Sequence, residues 1–468
     1  MFANNPDDTP VNVCSAIVAQ GLCCGCGMCA GVCPSQYLGV QFNMYGELSP
    51  RPQPESVCSG CGLCLRVCPM SEPSPPTDRI AAELAPQWGQ VSPDAVLGFH
   101  LRYLVGYSAA DGHRANGASG GMGTWVLETL LAKGLVNAVA AVGPGVIPET
   151  GAICGYRWCR TAADARACAK SAYYPAELSR IIQYIRSHEG RYAVTALPCA
   201  VRALRLAMRA VKCLRERIAF IVGLTCGYGM SAFAAEYVCA DAGGNPWQLH
   251  EITFRIKQNQ TPSARVSLIR CVSGQRTDGE HVSLQRSDEA FGKAGGNRWF
   301  TRRACDYCDD AFAELADVCL MDAWLPAYLR DVRGNTVVVV RHSAVGALLD
   351  EAVAKRDITL ADVTRDEAVR SQSPLLWFKR RLIVERIRSA RKAHAPLPTL
   401  RTDLYRDDLS PLEAAYARVL MHMRDASPRA WLDSGKDPVA FRRRLRAPSL
   451  AAGLLRKLIR KGCRSCSE

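Results

Sequence analysis

The stretch RYAVTALPCAVRALRLAMRAVKCLRERIAFIVGLTC, residues 191–226, decides the fold class of the central part of the chain. An apolar run, Tyr192–Leu197, ends just before Cys199, and a helical periodicity follows. A second apolar run, Ile218–Leu224, ends just before Cys226. This strand–helix–strand pattern predicts two parallel neighbouring strands. Both cysteines then lie at the carboxyl edge of the sheet, where α/β folds bind ligands.

A glycine-rich loop lies in the same region, where short apolar runs alternate with amphipathic stretches as in an α/β domain. Residues 117–121, GASGG, lead into a helical pattern that Gly134 caps before another apolar strand. Backbone N–H groups in such a loop can hold a phosphate at the helix N-terminus. A plain turn fits the same residues, and the loop matches neither the dinucleotide fingerprint nor the P-loop.

The N-terminal part contains two cysteine motifs of equal spacing, CCGCGMCAGVCP and CSGCGLCLRVCP, on either side of the hairpin-like FNMYGELSP. Both fit C-x2-C-x2-C-x3-C-P, in which the fourth cysteine of each motif binds the other of two 4Fe–4S clusters. A zinc module is the alternative, but zinc sites use four ligands and rarely two such repeats. The predicted ligands are Cys23, Cys26, Cys29 and Cys68 for the first cluster, and Cys58, Cys61, Cys64 and Cys33 for the second.

A further C-x-x-C motif comprises Cys305 and Cys308. Together with Cys199 and Cys226 it would supply the four thiolates of a third 4Fe–4S cluster. Buried core cysteines are the alternative, because a free cysteine packs as a small hydrophobic residue. The chain has 468 residues, 23 cysteines and an N-terminus unlike a signal peptide. We therefore expect intracellular metal ligands and not a disulfide framework.

Residues from about 100 to 345 resemble the coenzyme F420 hydrogenase/dehydrogenase beta-subunit family. The landmarks occur in family order and are ASGGMGTWVLETLLAKGLVNAVAAVG, AKSAYYP, TALPCAVRAL, IVGLTCGYG, CDYCDDAFAELADV and GNTVVVVRHSAVGALL. The resemblance implies FAD beside a 4Fe–4S cluster bound by the four central cysteines. It places the flavin near Ser119, Gly120, Gly121, Thr124 and Lys170. The N-terminal motifs resemble dicluster ferredoxins, and the fusion resembles bacterial members found among polysaccharide-synthesis genes.

The predicted fold class is α+β, with a dicluster ferredoxin-like domain, an α/β flavin- and cluster-binding core and a helical basic extension. The predicted segments are a leader (1–19), the ferredoxin domain (20–72), a Pro-rich linker (73–98), the flavin-associated part of the core (99–185), the part with the third cluster (186–348) and the extension (349–468).

Positive charge is concentrated at the C-terminus. Residues 371–468 contain 22 Lys and Arg against 9 Asp and Glu, a net charge of +13 out of +14 for the whole chain. Docking to an acidic partner or an anionic membrane surface is favoured, with a solvated helical face as the alternative. Few aromatic residues are interleaved, so no specific nucleic-acid site is expected. The uncharged stretch 218–235 is too glycine-rich for a membrane span, which predicts a cytoplasmic protein, at most peripheral at the inner membrane surface.

These features together predict a flavin-dependent iron–sulfur oxidoreductase. It would pass electrons between a ferredoxin or other redox partner and an organic acceptor or deazaflavin-like substrate. The alternative is a non-catalytic electron-transfer subunit of a larger redox or polysaccharide-biosynthesis complex. His113 and Lys170 are the candidate proton donors. The alternative for both residues is a surface or phosphate-contacting role.

Overall fold

The N-terminal cysteine motifs flank a short antiparallel hairpin. In the computed structural model, which describes residues 10–257, 268–275, 281–287, 289–401 and 409–465, a π-helical turn (Cys14–Val18) precedes these motifs. Strands β1 (Leu38–Phe42) and β2 (Leu48–Pro52) pair as the sequence between the motifs predicts. Short helices α1 (Met28–Val32) and α2 (Leu63–Arg66) begin inside the two motifs.

The segment predicted as a linker, residues 73–98, contains the helix α3 (Thr77–Trp88). Ile80 and Trp88 on this helix are buried, and the Trp88 indole Nε1 donates a hydrogen bond of 2.8 Å to Asp317 Oδ1. The stretch predicted as a Pro-rich linker therefore contains a helix packed on the core, and a linker describes it only in part. Proline content suggested the linker, but Pro76 stands at the helix N-cap and Pro86 lies near the last turn.

Eight strands of the described residues form one mixed sheet. Those not yet introduced are β3 (Arg102–Ser108), β4 (Ala138–Ile147), β5 (Ala152–Cys159), β6 (Tyr192–Ala196), β7 (Ile218–Leu224), β11 (Val318–Asp322), β12 (Thr336–Val340) and β13 (Ile358–Asp362). Their order is β13–β3–β12–β11–β7–β6–β4–β5. The central four, β11, β7, β6 and β4, are parallel, and the outer pairings are antiparallel.

The strand–helix–strand unit predicted from residues 191–226 is confirmed. Helix α8 (Pro198–Ala210) connects the parallel neighbours β6 and β7 and places Pro198 in its first turn, where the missing N–H costs no hydrogen bond. Cys199 therefore follows β6, and Cys226 follows β7 by two residues. Both residues stand at the carboxyl edge of the sheet.

The core also contains the following helices. They are α4 (His113–Asn116), α5 (Met122–Ala132), α6 (Ala162–Ala167), α7 (Ser179–Ser187), α9 (Lys212–Arg217), α10 (Phe233–Asp241), α11 (Glu289–Gly296), α12 (Ser343–Lys355) and α13 (Arg365–Arg370), with 3-10 turns at Pro246–Gln248 and Arg303–Tyr307. A separate antiparallel sheet consists of β8 (Leu249–Ile256), β9 (Leu268–Gln275) and β10 (His281–Ser287).

The boundary predicted at residue 348 is wrong, because β13 pairs with β3 and belongs to the central sheet. The extension after it is helical, as predicted. Its helices are α14 (Ser373–Leu376), a π-helical turn (Trp377–Arg381), α15 (Ile383–Lys392), α16 (Pro411–Asp433), α17 (Pro438–Arg444) and α18 (Arg446–Ser465).

The extension packs on the core through aromatic side chains. Trp431 and Phe441 are fully buried and contact Tyr237 and Phe300, with ring centroids 5.1–6.0 Å apart. Contacts of this kind bury large apolar areas. The extension is therefore part of the folded body. None of the helices in the described ranges is both long enough and apolar enough to cross a bilayer.

Candidate functional site

A cavity of about 1030 Å³ lies at the carboxyl edge of β6 and β7. Its wall brings together residues from distant parts of the sequence, from Cys24 to Lys379. The predicted site residues that line it are Cys26, Cys199, Cys226, Cys305, Cys308, Ser119, Gly121, Thr124 and Lys170. One cavity therefore contains the predicted central cysteines and most of the predicted flavin contacts.

The four central cysteines are close enough to influence one another electrostatically. A hydrogen bond with Cys24 and burial raise the pKa of the Cys199 thiol. Burial also raises the pKa of Cys226, with contributions from Cys305, Cys199 and Cys308. The pKa of Cys308 is raised to about 11 by burial, although Lys379 opposes the shift. The raised pKa of Cys199, Cys226 and Cys308 favours their protonated forms, and binding a metal cluster would displace those protons.

The four central thiols are the donor type that a 4Fe–4S cluster takes. Within the part of the chain that the structure describes, no three His, Cys, Asp or Glu side chains are close enough to share one metal ion. A 4Fe–4S cube needs wider spacing, because each thiolate binds a different iron. The backbone N–H of Gly229 donates to Cys305 Sγ at 3.2 Å, the type of hydrogen bond that cluster sulfurs accept. The donor set therefore fits the cube.

The Ser-Gly-Gly loop packs tightly against the sheet before α5. Gly121 has φ +78°, and a Cβ there would lie 2.7 Å from the His113 carbonyl carbon. Gly120 faces the sheet and is outside the cavity wall, and its N–H donates to Thr336 Oγ1 at 3.0 Å. Ser119 Oγ donates to the Asn335 carbonyl oxygen. The loop therefore presents Ser119 and Gly121 to the cavity.

The two candidate proton donors differ in position. His113 is buried outside the cavity wall, with Nδ1 2.8 Å from Ser108 Oγ and Nε2 3.0 Å from Glu128 Oε2. Its environment suits a residue that supports the loop. Lys170 does line the cavity, and burial, followed by the nearby Arg270, lowers the pKa of its ammonium group. Lys170 thus remains the candidate that can reach a ligand.

Cysteines of the first N-terminal set are electrostatic neighbours in the fold. Burial and the neighbouring Cys23, Cys68 and Cys64 raise the pKa of Cys29. Cys26 has both Cys29 and Cys68 among its electrostatic neighbours. Cys68 comes from the second motif, so the fold places cysteines of both motifs beside one another.

The second N-terminal set lies nearer the surface. Cys64 has Cys58 and Cys61 as neighbours, and Cys61 is exposed. Cys33 Sγ lies 3.7 Å from Ser35 Oγ. Cys14, whose position in the sequence indicates no role, lies beside Cys64 and Cys58.

Cys24 connects the N-terminal motifs to the cavity. Its thiol lies beside the thiols of both Cys26 and Cys199 and influences the pKa of each. Arg302 from the core packs over Gly25, where a side chain would clash with the guanidinium group, and donates to the Leu48 carbonyl at 3.0 Å. The spacing of the motifs leaves Cys24 out of register, so only the contact in the fold identifies it.

Comparison with known proteins identifies relatives of the core. The family model for the N-terminal part of the coenzyme F420 hydrogenase/dehydrogenase beta subunit matches residues 103–183, and the model for its C-terminal part matches residues 189–366. A solved structure, the xenon-derivatized F420-reducing [NiFe] hydrogenase complex from Methanosarcina barkeri, has a similar chain with 17% identity and a TM-score of 0.48. That alignment covers 67% of this chain and 99% of the other. A comparison with curated proteins gave no match.

Proposed function

Since this chain belongs to the coenzyme F420 hydrogenase/dehydrogenase beta subunit family, we propose that it is a flavin-dependent iron–sulfur oxidoreductase. Family membership makes it an iron–sulfur subunit that transfers electrons in a redox enzyme. The finer proposal is that it passes electrons between a ferredoxin-type donor and an organic acceptor, of which a deazaflavin is one candidate. The three predicted clusters and FAD are the proposed cofactors.

One observation carries this proposal, namely the shared cavity of the four central thiols and the Ser-Gly-Gly loop. Its volume of about 1030 Å³ suits a large cofactor. Bound there, FAD and a 4Fe–4S cluster would supply hydride exchange and one-electron transfer. The loop precedes the 11-residue helix α5, whose N-terminal N–H groups suit a phosphate. Lys170 on the cavity wall is the candidate to hold or donate a proton.

The N-terminal segment is proposed as the electron-delivering part of the chain. Cys24 touches both the first cysteine set and Cys199 of the central set, so the two sets are neighbours. The exposed Cys61 belongs to the second set and marks the side on which a redox partner has access. This order from surface to cavity favours a ferredoxin-like function for residues 20–72.

Anaerobic purification with iron, sulfide and flavin quantification tests the proposal. Three 4Fe–4S clusters predict about twelve irons per chain, together with one flavin. Cys305→Ser should lose about four irons, whereas the control Cys213→Ser, outside every predicted set, should keep them. An iron content near eight that Cys305→Ser leaves unchanged would reject the central cluster. All clusters without flavin would instead support a non-catalytic electron-transfer subunit.

Helix α18 favours a second role, docking on an anionic membrane surface. Leu450, Leu454 and Leu458 lie on one face at helical spacing and are 64%, 60% and 41% exposed. Exposed basic side chains flank them, namely Arg456, Lys457, Arg460 and Lys461. Ala452 on the opposite face is buried against the body. Exposed leucines beside lysine and arginine are the pattern of an interfacial helix.

Co-sedimentation with phosphatidylcholine vesicles, with and without phosphatidylserine, tests this role. The full chain should bind the anionic vesicles, and Leu450→Gln should weaken binding. Val439→Gln is the matched control, because Val439 is also 64% exposed but lies on α17. Equal partitioning of all three proteins, or binding only to an acidic protein, would reject the membrane surface.

A further inference from the structure

Lys379 is a buried cation beside the central cysteines. It lies in the π-helical turn Trp377–Arg381, beyond residue 366 where the family match ends. Its side chain is 1% exposed, and its Nζ donates to Cys308 Sγ at 3.0 Å and to the Asp310 carbonyl oxygen. The extension therefore places a lysine ammonium directly on a proposed cluster ligand.

We propose that Lys379 raises the reduction potential of the central cluster by donating a charged hydrogen bond to the Cys308 sulfur. This inference rests on the proposed function, because it requires Cys308 to bind that cluster. Reduction adds one negative charge to a cube and its thiolates, and a nearby cation in a buried site stabilises that charge. Hydrogen bonds to the sulfurs and net local charge are the general means by which proteins set such potentials.

A second, independent observation is an excess of buried positive charge near Cys305. Arg298 and Arg386 are almost fully buried, and each has Cys305 among its electrostatic neighbours. Three nitrogens of Arg298 and two of Arg386 have no hydrogen-bond partner. Isolated guanidinium groups are costly to bury, unless an anion lies nearby to compensate them.

The protein groups around these arginines compensate them only in part. Arg298 and Arg386 lie 3.8 and 3.7 Å from Asp306, longer than a hydrogen bond, while Arg424 contacts the same carboxylate directly. Phe378, next to Lys379, has Arg298 and Arg386 over its ring at 3.9 and 4.0 Å. Three arginine side chains thus share the single carboxylate of Asp306. The anionic cube would supply the negative charge that these arginines lack. Two of the cations near the cysteines, Lys379 and Arg386, come from the extension.

The test is an EPR-monitored redox titration of the anaerobically purified full chain and its variants. Lys379→Met should make reduction of the central cluster about tenfold less favourable, a shift of about 59 mV to lower potential for one electron. Lys379→Arg keeps the charge and should stay close to the parent. Lys392→Met removes an exposed lysine of the same extension and should shift nothing. The N-terminal clusters are an internal control whose potentials should not change.

The outcomes separate this inference from the proposed function. An intact central cluster with an unchanged potential in Lys379→Met overturns the inference alone. Absence of the central cluster from the parent protein overturns the proposed function, and the inference with it. If Lys379→Met loses the cluster, the same redox titration of Arg386→Met tests whether a buried cation of the extension raises the potential of the central cluster. A lowered potential in that variant supports the electrostatic role, and an unchanged one overturns it.

Discussion

Asp317 holds three parts of the body together through one buried carboxylate. Its Oδ1 accepts hydrogen bonds from Arg205 Nη2 on α8 at 2.7 Å and from Trp88 Nε1 on α3 at 2.8 Å. Its Oδ2 accepts one from the backbone N–H of Ile221 on β7 at 2.7 Å. The Arg205 and Asp317 side chains are only 8% and 4% exposed. We therefore expect Asp317→Ala to be strongly destabilising.

The magnitude follows from burial. Removing one partner of a buried ion pair leaves an uncompensated charge and costs roughly 3–5 kcal/mol of unfolding free energy. A typical protein has about 5–15 kcal/mol in total. Arg102 and Asp350 have the same N–O distance, 2.7 Å, but their side chains are 38% and 63% exposed. Asp350→Ala should therefore cost less than about 1 kcal/mol, since water screens an exposed pair.

Urea unfolding followed by far-UV circular dichroism measures both variants. The double variant Arg205→Met with Asp317→Ala should recover part of the loss, because it removes the unpaired charge as well. Equal losses for Asp317→Ala and Asp350→Ala would refute the reasoning. So would a double variant whose loss is simply the sum of the two single losses.

Two further predictions concern the flavin loop and acid stability. Gly121→Ala should lower the flavin content measured by absorbance, because the new Cβ would clash with His113. The control is Gly134→Ala at the other end of α5, where φ is also positive but a Cβ meets no atom within 4 Å, so this variant should retain flavin. Equal flavin loss in both variants would contradict this prediction. Burial opposes ionisation of Glu413, but hydrogen bonds from Arg381 and neighbouring groups lower its pKa to about 2, below roughly 4.3 for an unfolded chain. The ionised Glu413 therefore contributes its full stabilisation above pH 5 and loses it as the pH falls toward 2. The unfolding free energies of the parent and of Glu413→Gln should thus converge on acidification. A difference that stays constant with pH would contradict this prediction.

The sequence determined the local elements whose signals lie within a short stretch. The apolar runs before Cys199 and Cys226 became parallel neighbours, and Gly134, with φ +63°, follows the end of α5 as predicted. The order of landmarks identified the family, whose models match residues 103–183 and 189–366. The cluster and flavin assignments remain predictions, although the fold brings the four central cysteines and four of the five flavin contacts to one cavity.

The predicted division of the chain differs from the structure in two places, the linker at 73–98 and the boundary at residue 348. Residues 77–88 form a helix because Ile80 and Trp88 find buried partners in the core, which composition does not reveal. The core continues to Asp362 because β13 pairs with β3, about 250 residues earlier in the chain. Both outcomes depend on contacts between distant segments, which the secondary-structure propensity of a short stretch does not determine.

Only the tertiary structure determined which groups the basic side chains of the extension contact. From the sequence, residues 371–468 carry a net charge of +13, which favoured an external acidic partner or membrane. In the fold, Arg424 pairs with Asp306, Arg401 with Glu314, and Lys379 meets Cys308. A charge count contains no distances, whereas electrostatic energy depends on distance and burial. The cysteine spacing thus indicated which clusters to expect, and packing decided which cations lie beside the cysteines.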